Sequence, residues 1–275
     1  MDKLLFGTAG IPIAAKGTST EEGIAEVRNL GLDSMELEFV RSINITEEKA
    51  PVVKKAAQDN NITLTCHAPY YINLNAKEKN KVYASINRIT NSAKIANLCG
   101  GYSVCFHPGY YLKMDKEKVY ENVREAMKKV VSELKEQNND IWIRPETTGK
   151  RSQFGNVDEI LELSQEFERV LPCIDWAHLH AKTGEHNTIE EYRETLDKVE
   201  KALGREALNN MHMHIEGIEY SDKGERKHLI LEESDMNYKD LMRVFKEYKL
   251  KGVVTCESPN IEEDAKLLQK TYNQS

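Results

Sequence analysis

The sequence lacks the features that mark membrane-spanning and disulfide-stabilised proteins. No apolar run is long enough to span a bilayer, and the opening segment MDKLLFGTAGIPIAAKGTS is too poor in apolar residues for a signal peptide. Its five cysteines include no Cys-x-x-Cys pair, which argues against a disulfide framework and against a cysteine zinc knuckle. We therefore expect no membrane partner and a location in the reducing cytoplasm.

Positive charge is also scarce. Lys and Arg number 38 against 45 Asp and Glu, so the formal net charge is -7 and no global attraction draws the chain to nucleic acid. A polyanionic partner must therefore be held by local positive charge or by bound metal. No stretch rich in Pro, Gly or Ser marks a domain boundary, so we expect one domain over residues 1–275.

Short β-type runs alternate with longer amphipathic runs along the whole chain. In segment 115–137, for example, one helical face would carry Val119, Val123, Met127, Val130 and Leu134. Eight such strand–helix units predict a single α/β domain, a closed (β/α)₈ TIM barrel with its site at the C-terminal ends of the strands. The strand candidates are LLFGT, SMELEFV, ITLTCH, YSVCFH, IWIRPE, RVLPCID, NMHMHI and GVVTCE.

Six consecutive strand candidates, the third to the eighth, end in a residue type that binds metals. Because the C-terminal strand ends of such a barrel converge, three imidazoles and three carboxylates would meet in one small volume. The carboxylates would repel one another unless a cation lay between them. Nitrogen and oxygen donors without thiolate suit zinc or manganese. The six residues are His67, His107, Glu146, Asp175, His214 and Glu257.

Each of these residues also has a simpler explanation when it is taken alone. A single histidine at a strand end is more often a satisfied polar residue, and a single carboxylate is often a helix cap. Six such residues at the ends of six consecutive strands argue against coincidence. We expect Cys105 and Cys173 to be buried small residues rather than ligands. His178, just after the sixth strand, is a better ligand candidate than His180, and the long insert 217–234 is expected to be a functional loop.

The strand-end motifs, taken in order, resemble those of the endonuclease IV family of zinc-dependent apurinic/apyrimidinic endonucleases, especially its archaeal-type members. The resemblance runs over essentially the whole chain. The matching motifs are HAPYYINL at His67, FHPG at His107, RPETTGK at Glu146, IDWAH at Asp175 and His178, MHIEG at His214 and CESP at Glu257.

The resemblance implies a site for two or three zinc ions. By position, the ligands would be His67, His107 and Glu146 for the first zinc and Glu146, Asp175, His214 and Glu257 for the second. A third zinc would be held by His178 and by the long insert. The family places an Asp-x-His motif there, whereas this chain has His228 with no aspartate two residues before it. Either Glu225 would reach the metal instead or Lys227 would replace a cation.

The resemblance also implies hydrolysis of the phosphodiester 5′ to abasic sites in DNA, as in base excision repair. Metal-activated water would attack phosphorus, with Glu146 bridging two metals and Glu257 orienting the nucleophile. Tyr70 would push into the DNA at the lesion, and we expect a monomer. The candidate phosphate contacts are Arg41, Lys150, Arg151 and Lys182, on loops past the strand ends.

Two other functions fit parts of the pattern. A sugar isomerase or epimerase would use one divalent metal, held by Glu146, Asp175, His214 and Glu257. It would not need the other histidines of the cluster, and this surplus of imidazole favours several metals and therefore the nuclease. A non-catalytic module that binds damaged DNA would keep the basic loops and Tyr70, and the altered insert keeps this alternative open.

Overall fold

A computed structural model describes the whole chain, Met1–Ser275, as a parallel sheet surrounded by helices. The strands in chain order are β1 (Leu4–Ala9), β2 (Ser34–Glu38), β3 (Thr63–His67), β4 (Ser103–Phe106), β5 (Gly109–Tyr110), β6 (Trp142–Pro145), β7 (Gln153–Phe154), β8 (Cys173–Asp175), β9 (Met211–Ile215), β10 (Gly217–Ser221), β11 (Gly224–Leu229) and β12 (Gly252–Cys256). Two small antiparallel sheets, β5 with β7 and β10 with β11, lie outside the main sheet.

Helices follow the barrel strands and cover the outside of the sheet. They are α1 (Thr20–Asn29), α2 (Ala50–Asp59), α3 (Lys79–Leu98), α4 (Lys116–Glu136), α5 (Val157–Glu166), α6 (Trp176–Thr183), α7 (Ile189–Leu203), α8 (Arg205–Leu208), α9 (Tyr238–Glu247) and α10 (Glu262–Gln274), with a 3₁₀ turn at Leu231–Glu233. None of them combines the length and the apolar character needed to cross a membrane.

The eight strands of the main sheet pair in parallel and close on themselves. Their order is β6-β4-β3-β2-β1-β12-β9-β8, and the parallel bridges Ile143–Val170 and Glu146–Cys173 join the two ends of the sheet. All eight predicted strands are present in this barrel, so the predicted TIM barrel fold is confirmed. The long insert after β9 is an antiparallel hairpin, β10–β11, rather than an irregular loop.

The two faces of the barrel strands have different chemistry because successive side chains alternate between them. The outward side chains, such as Leu64, Val104 and Met213, are buried in the apolar core between sheet and helices. Many of the inward side chains are polar and fully buried; they include Glu36, Thr65, Arg144, His212 and Thr255. The interior of this barrel is therefore unusually polar below the C-terminal strand ends.

Candidate metal centre

Glu146, the residue after β6, lies at the centre of the C-terminal mouth of the barrel and is fully buried. Four imidazole nitrogens surround its carboxylate. The distances to Glu146 oxygens are 3.1 Å from His67 Nε2, 3.2 Å from His107 Nε2, 3.3 Å from His214 Nδ1 and 3.4 Å from His178 Nδ1. Only the His67 contact has hydrogen-bond geometry. The other three imidazoles converge on Oε1, which has no hydrogen-bond partner, so this arrangement is typical of a metal centre.

These side chains meet because the strands that carry them end at the same level. His67 closes β3, Glu146 follows β6 and Asp175 closes β8, and in the sheet Asp175 is in register with His214 of β9. Glu257 directly follows β12 and lies 3.4 Å from His214 Nδ1. The six predicted strand-end residues therefore lie in one cluster, which we call the central cluster.

The cap of helix α6 positions His178. Asp175 is both the last residue of β8 and the N-cap of α6, and its carboxylate accepts a hydrogen bond from the His178 backbone N–H at 2.7 Å. Residue i+3 of a helix lies above the cap, so His178 is folded back over the mouth. Its Nδ1 is 2.9 Å from Asp175 Oδ2, which leaves Nε2 directed outward.

A second group, the outer cluster, forms where the hairpin crosses the mouth. Its members are His178, Glu225 and His228, whose donor atoms lie within 4.8 Å of one another and could hold a metal ion. Glu225 Oε2 is 3.5 Å from His178 Nε2. Lys227 instead forms an ion pair with Glu219 at 3.2 Å. Glu225 therefore lies beside the two histidines of the outer cluster, whereas the Lys227 side chain points away from them.

A β-bulge explains why a carboxylate three residues before His228 can face the same way. Ile218 pairs with His228 and Glu219 with Lys227, but the next residue, Tyr220, pairs with Glu225. Arg226 is the extra residue, and its side chain forms an ion pair with Glu219. One added residue shifts the two-residue alternation of the strand, and bulges commonly re-aim a side chain in this way.

Gly149 allows Glu225 to approach. A Cβ at Gly149 would lie 2.7 Å from Glu225 Cβ and 2.8 Å from His178 Cδ2, closer than side chains tolerate. The backbone of this loop is tied to the hairpin, since the Glu225 N–H donates to the Gly149 carbonyl at 2.9 Å. The loop after β6 therefore fixes the position of the outer cluster.

Burial opposes ionisation of Glu146, but the neighbouring His107 and His214 imidazoles hold its pKa well below the ordinary value. For His178 and His214, burial favours the neutral form, yet the surrounding anions raise both pKa values well above the ordinary one. Protons thus neutralise the clustered carboxylates. Divalent cations would occupy the same place and release those protons.

Several buried oxygen and nitrogen atoms at the mouth that could bind a metal have no hydrogen-bond partner, although buried polar groups are nearly always paired. They are Glu146 Oε1, Asp175 Oδ2, His214 Nδ1 and both carboxylate oxygens of Glu216. Burial, together with the nearby Asp175 and Glu257 carboxylates, raises the pKa of Glu216 well above its ordinary value. Unpaired lone pairs directed at one volume fit bound cations there.

Three carboxylates near the site, of which Glu36 and Glu216 are fully buried and Glu38 is half-buried, were not predicted from the sequence. Glu36 and Glu38 lie on β2, and Glu216 follows β9 two residues after His214. Burial, with the nearby Glu36 charge, raises the pKa of Glu38 to about 8. Glu36 and Glu38 lie on the same face of β2, and Glu216 is in phase with His214, so the two-residue period of the strands could have identified all three.

The residues expected to contact DNA lie in two different settings. Tyr70 is exposed at the rim and its ring is 4.4 Å from that of Tyr71; Arg41, Lys150 and Arg151 are also exposed. Lys182, by contrast, is buried, and its ammonium donates to Thr148 Oγ1 and to the Gln153 carbonyl, each at 3.0 Å. The structure contradicts an exposed phosphate contact for Lys182, because α6 turns this side chain inward.

The chain matches the family described as xylose isomerase-like TIM barrel over residues 24–272, and it belongs to that family. Among relatives, "Uncharacterized protein MJ0133" of Methanocaldococcus jannaschii is 45% identical over 272 residues, covering 98% of this chain and 97% of its own. A "Probable endonuclease 4" of Mycoplasma pneumoniae is 26% identical over 203 residues, covering 72% of this chain and 68% of its own.

Two solved structures superpose equally well. Endonuclease IV from Thermus thermophilus gives a TM-score of 0.76 at 19% identity, with 97% of this chain and 98% of that chain covered. A D-tagatose 3-epimerase-like protein also gives 0.76, at 17% identity and 97% coverage of both chains. At these identities the superpositions establish the shared fold and do not separate the two activities.

Proposed function

We propose that this chain is a metal-dependent hydrolase that cleaves the phosphodiester 5′ to abasic sites in DNA. The observation that carries the proposal is the set of four imidazoles within 3.4 Å of one buried carboxylate, Glu146. A single metal does not need so many nitrogen donors, whereas several metals that share a bridging carboxylate do. Similarity to proteins named endonuclease 4 adds support.

The residues present fit two or three divalent ions. His67, His107 and Glu146 would hold the first ion, and the second would lie among Glu146, Asp175, His214 and Glu257. The third would take His178, Glu225 and His228, so that Glu225 would replace the aspartate of the related motif. Nitrogen and oxygen donors of this kind suit zinc best, and manganese is the second candidate.

When bound, such ions would activate water at neutral pH and neutralise charge on the scissile phosphate. The chain itself would do the rest. Glu146 would contribute its carboxylate oxygens as ligands of the ions. Glu257, which lines the open cleft and lies 3.4 Å from His214 Nδ1, would accept a hydrogen bond from the attacking water and orient it. Both carboxylates stand on barrel strand ends, which are rigid supports for a reacting geometry.

Recognition of the lesion would fall to the rim. The Tyr70 and Tyr71 rings, which contact each other at a tilt of 44°, stand beside the cleft that is lined by His67, His107 and Glu257. An abasic nucleotide leaves a gap in the base stack that an aromatic ring can fill, and rotating it out of the duplex breaks no base pair. Arg41, Lys150 and Arg151 would contact phosphates, which a chain of net charge -7 requires locally.

The test uses a duplex that carries one abasic-site analogue and the purified protein, with and without a chelator. We expect incision 5′ to the lesion, loss of incision after chelation and recovery with added zinc. An intact duplex of the same sequence is the substrate control. Binding without incision in the zinc-loaded protein would contradict the proposal and favour a non-catalytic module that recognises damage.

A sugar epimerase or isomerase is the second candidate. The observation in its favour is that Glu146, Asp175, His214 and Glu257 form a one-metal set at the mouth, in a fold shared with a D-tagatose 3-epimerase-like protein. Metal analysis separates the candidates: two or more zinc ions per chain fit the nuclease, and one manganese or magnesium ion fits the epimerase. Interconversion of ketoses by a protein inert to DNA would overturn the first proposal.

A further inference from the structure

Beneath the candidate metal centre, a second layer of polar side chains fills the interior of the barrel. Each member lies two residues before a residue of the mouth, so it points inward one pleat lower. All are fully buried. Thr65, Arg144 and Thr255 also lie at this level. We give the name inner layer to the other four residues, which are Glu36 of β2, Cys105 of β4, Cys173 of β8 and His212 of β9.

The inner layer brings two sulfurs and an imidazole together. One ligand atom each from Cys105, Cys173, His212 and the overlying His214 lie within 4.8 Å of one another. The Glu36 carboxylate is 2.9 Å from His212 Nε2 and 3.7 Å from Cys105 Sγ. Donors around a tetrahedral zinc ion lie roughly 3.5 Å apart, so small movements would suffice to bind one.

The orientation of His212 points to the same place. Its Nδ1 is hydrogen-bonded to Ser103 Oγ at 2.9 Å, which fixes the ring and directs Nε2 at the layer. In carboxylate- or hydroxyl-supported metal sites the second ring nitrogen is held in this way.

Hydrogen bonding alone does not account for the inner layer. His212 Nε2 and Glu36 Oε1 are buried and have no partner of hydrogen-bond geometry, although His212 Nε2 lies 2.9 Å from Glu36 Oε2 and Glu36 Oε1 lies 3.0 Å from His214 Nε2. Thiols are weak donors and weak acceptors and cannot compensate. Buried polar atoms are rarely left unpaired in this way, and a cation would give each of them a bond.

We propose that the inner layer binds a metal ion of its own, held by the sulfurs of Cys105 and Cys173, by His212 Nε2 and by Glu36. Thiolate donors select zinc or another thiophilic ion over magnesium and manganese, whereas the mouth offers nitrogen and oxygen only. The ion would tie β2, β4, β8 and β9 together below the reacting centre. This assigns a role to two cysteines that the sequence pattern treats as small buried residues.

The test exploits the sulfur. The protein is produced in cobalt-supplemented medium, because the inner layer is closed to ions added after folding. We expect a thiolate-to-cobalt charge-transfer absorption in the near ultraviolet, which nitrogen and oxygen donors do not produce. A cobalt-containing protein whose spectrum shows only nitrogen and oxygen ligation would overturn the proposal, whatever its activity toward DNA.

Variants assign the band to particular residues. Cys105→Ser and Cys173→Ser should each weaken the band clearly, because one thiolate remains, and the double variant should lose it. Cys99→Ser, at a buried thiol at the end of α3 outside the layer, should keep it. If either variant fails to fold, X-ray absorption of the wild-type zinc protein decides: sulfur neighbours at about 2.3 Å support the site, and a shell of nitrogen and oxygen alone at about 2.0 Å refutes it.

Discussion

The central and outer clusters at the barrel mouth are built on different supports. The central cluster stands on strand ends: Glu146, Asp175 and His214 are fully buried, and only His107 and Glu257 are partly exposed at the cleft. The outer cluster takes His178 from a helix cap, but Glu225 and His228 come from a hairpin and are partly exposed. We therefore expect the central cluster to bind metal more tightly than the outer cluster does. Metal at the outer cluster should raise the catalytic rate above the level that the central cluster supports alone.

The hairpin also shows how a carboxylate can move by one residue in sequence and still face the same histidines. In the related motif a carboxylate lies two residues before the histidine, in step with strand alternation. Here Arg226 occupies that position and the bulge moves the inward-facing carboxylate to Glu225. A hairpin outside the barrel tolerates such an insertion, whereas an added residue within a barrel strand would turn every following side chain to the other face.

Replacement of the central carboxylate should have the largest effect. Glu146→Gln keeps the shape but removes the bridging charge, so we expect turnover on an abasic duplex to fall about 10³-fold. Steady-state incision kinetics with matched metal loading measures this. Glu162→Gln on α5, away from the mouth, is the control and should match wild type. Near-normal turnover of Glu146→Gln would show that this carboxylate does not organise the site.

Loss of the hairpin carboxylate should have a smaller and more selective effect. Glu225→Gln is expected to lower the affinity for one metal ion by about 10–100-fold and to leave the other ions in place. Metal content after mild dialysis measures this. Adding Arg226→Asp to this variant should not restore the metal, because residue 226 faces Glu219 rather than the histidines. Recovery in the double variant would contradict the role assigned to the bulge.

Gly149→Ala tests how closely the loop and the hairpin must fit. The new methyl group would displace Glu225 or His178 by a few tenths of an ångström or more. We expect about a tenfold loss of turnover with little change in the central metals. Gly184→Ala, where nothing lies within 4 Å, disturbs the backbone at a positive φ without touching the site and serves as the comparison. Equal losses in both variants would indicate a general folding defect.

The smallest effect concerns the pH dependence of stability. Burial lowers the pKa of Lys182 from 10.5 to about 8, so between these values the unfolded chain holds a proton that the folded chain has lost. Stability from this group therefore rises with pH across that window. Between pH 7 and pH 9.5, the free energy of unfolding measured with urea should increase for wild type relative to Lys182→Met. Lys150→Met, at an exposed lysine, should show no such difference.

Much of the site could be predicted from residue patterns because barrel strands are regular. Alternation fixes which side chains point inward, and closure of the parallel barrel brings the strand ends to one level. His67, His107 and Glu146 could therefore be predicted from the sequence to lie together. The same rule, applied from the third strand onward, passed over Glu36 and Glu38. These two glutamates lie on the second strand, which has the same alternation, so the same reasoning would have placed them beside the site.

Other features depended on contacts between distant segments. Glu225 faces the histidines through a bulge and through space left by Gly149, and neither is visible in the spacing of the hairpin residues. Lys182 turned inward because Thr148 and Gln153 accept its hydrogen bonds, although a lysine past a strand end is usually solvated.

The amino-acid sequence by itself determined the barrel and the convergence of six strand-end imidazoles and carboxylates, since both follow from periodicity that is local to each strand. Only the tertiary structure decided which hairpin residue meets His178 and which residues form the inner layer. The physical reason is that such contacts join elements far apart in the chain, where packing and paired charges, rather than local period, select the neighbour.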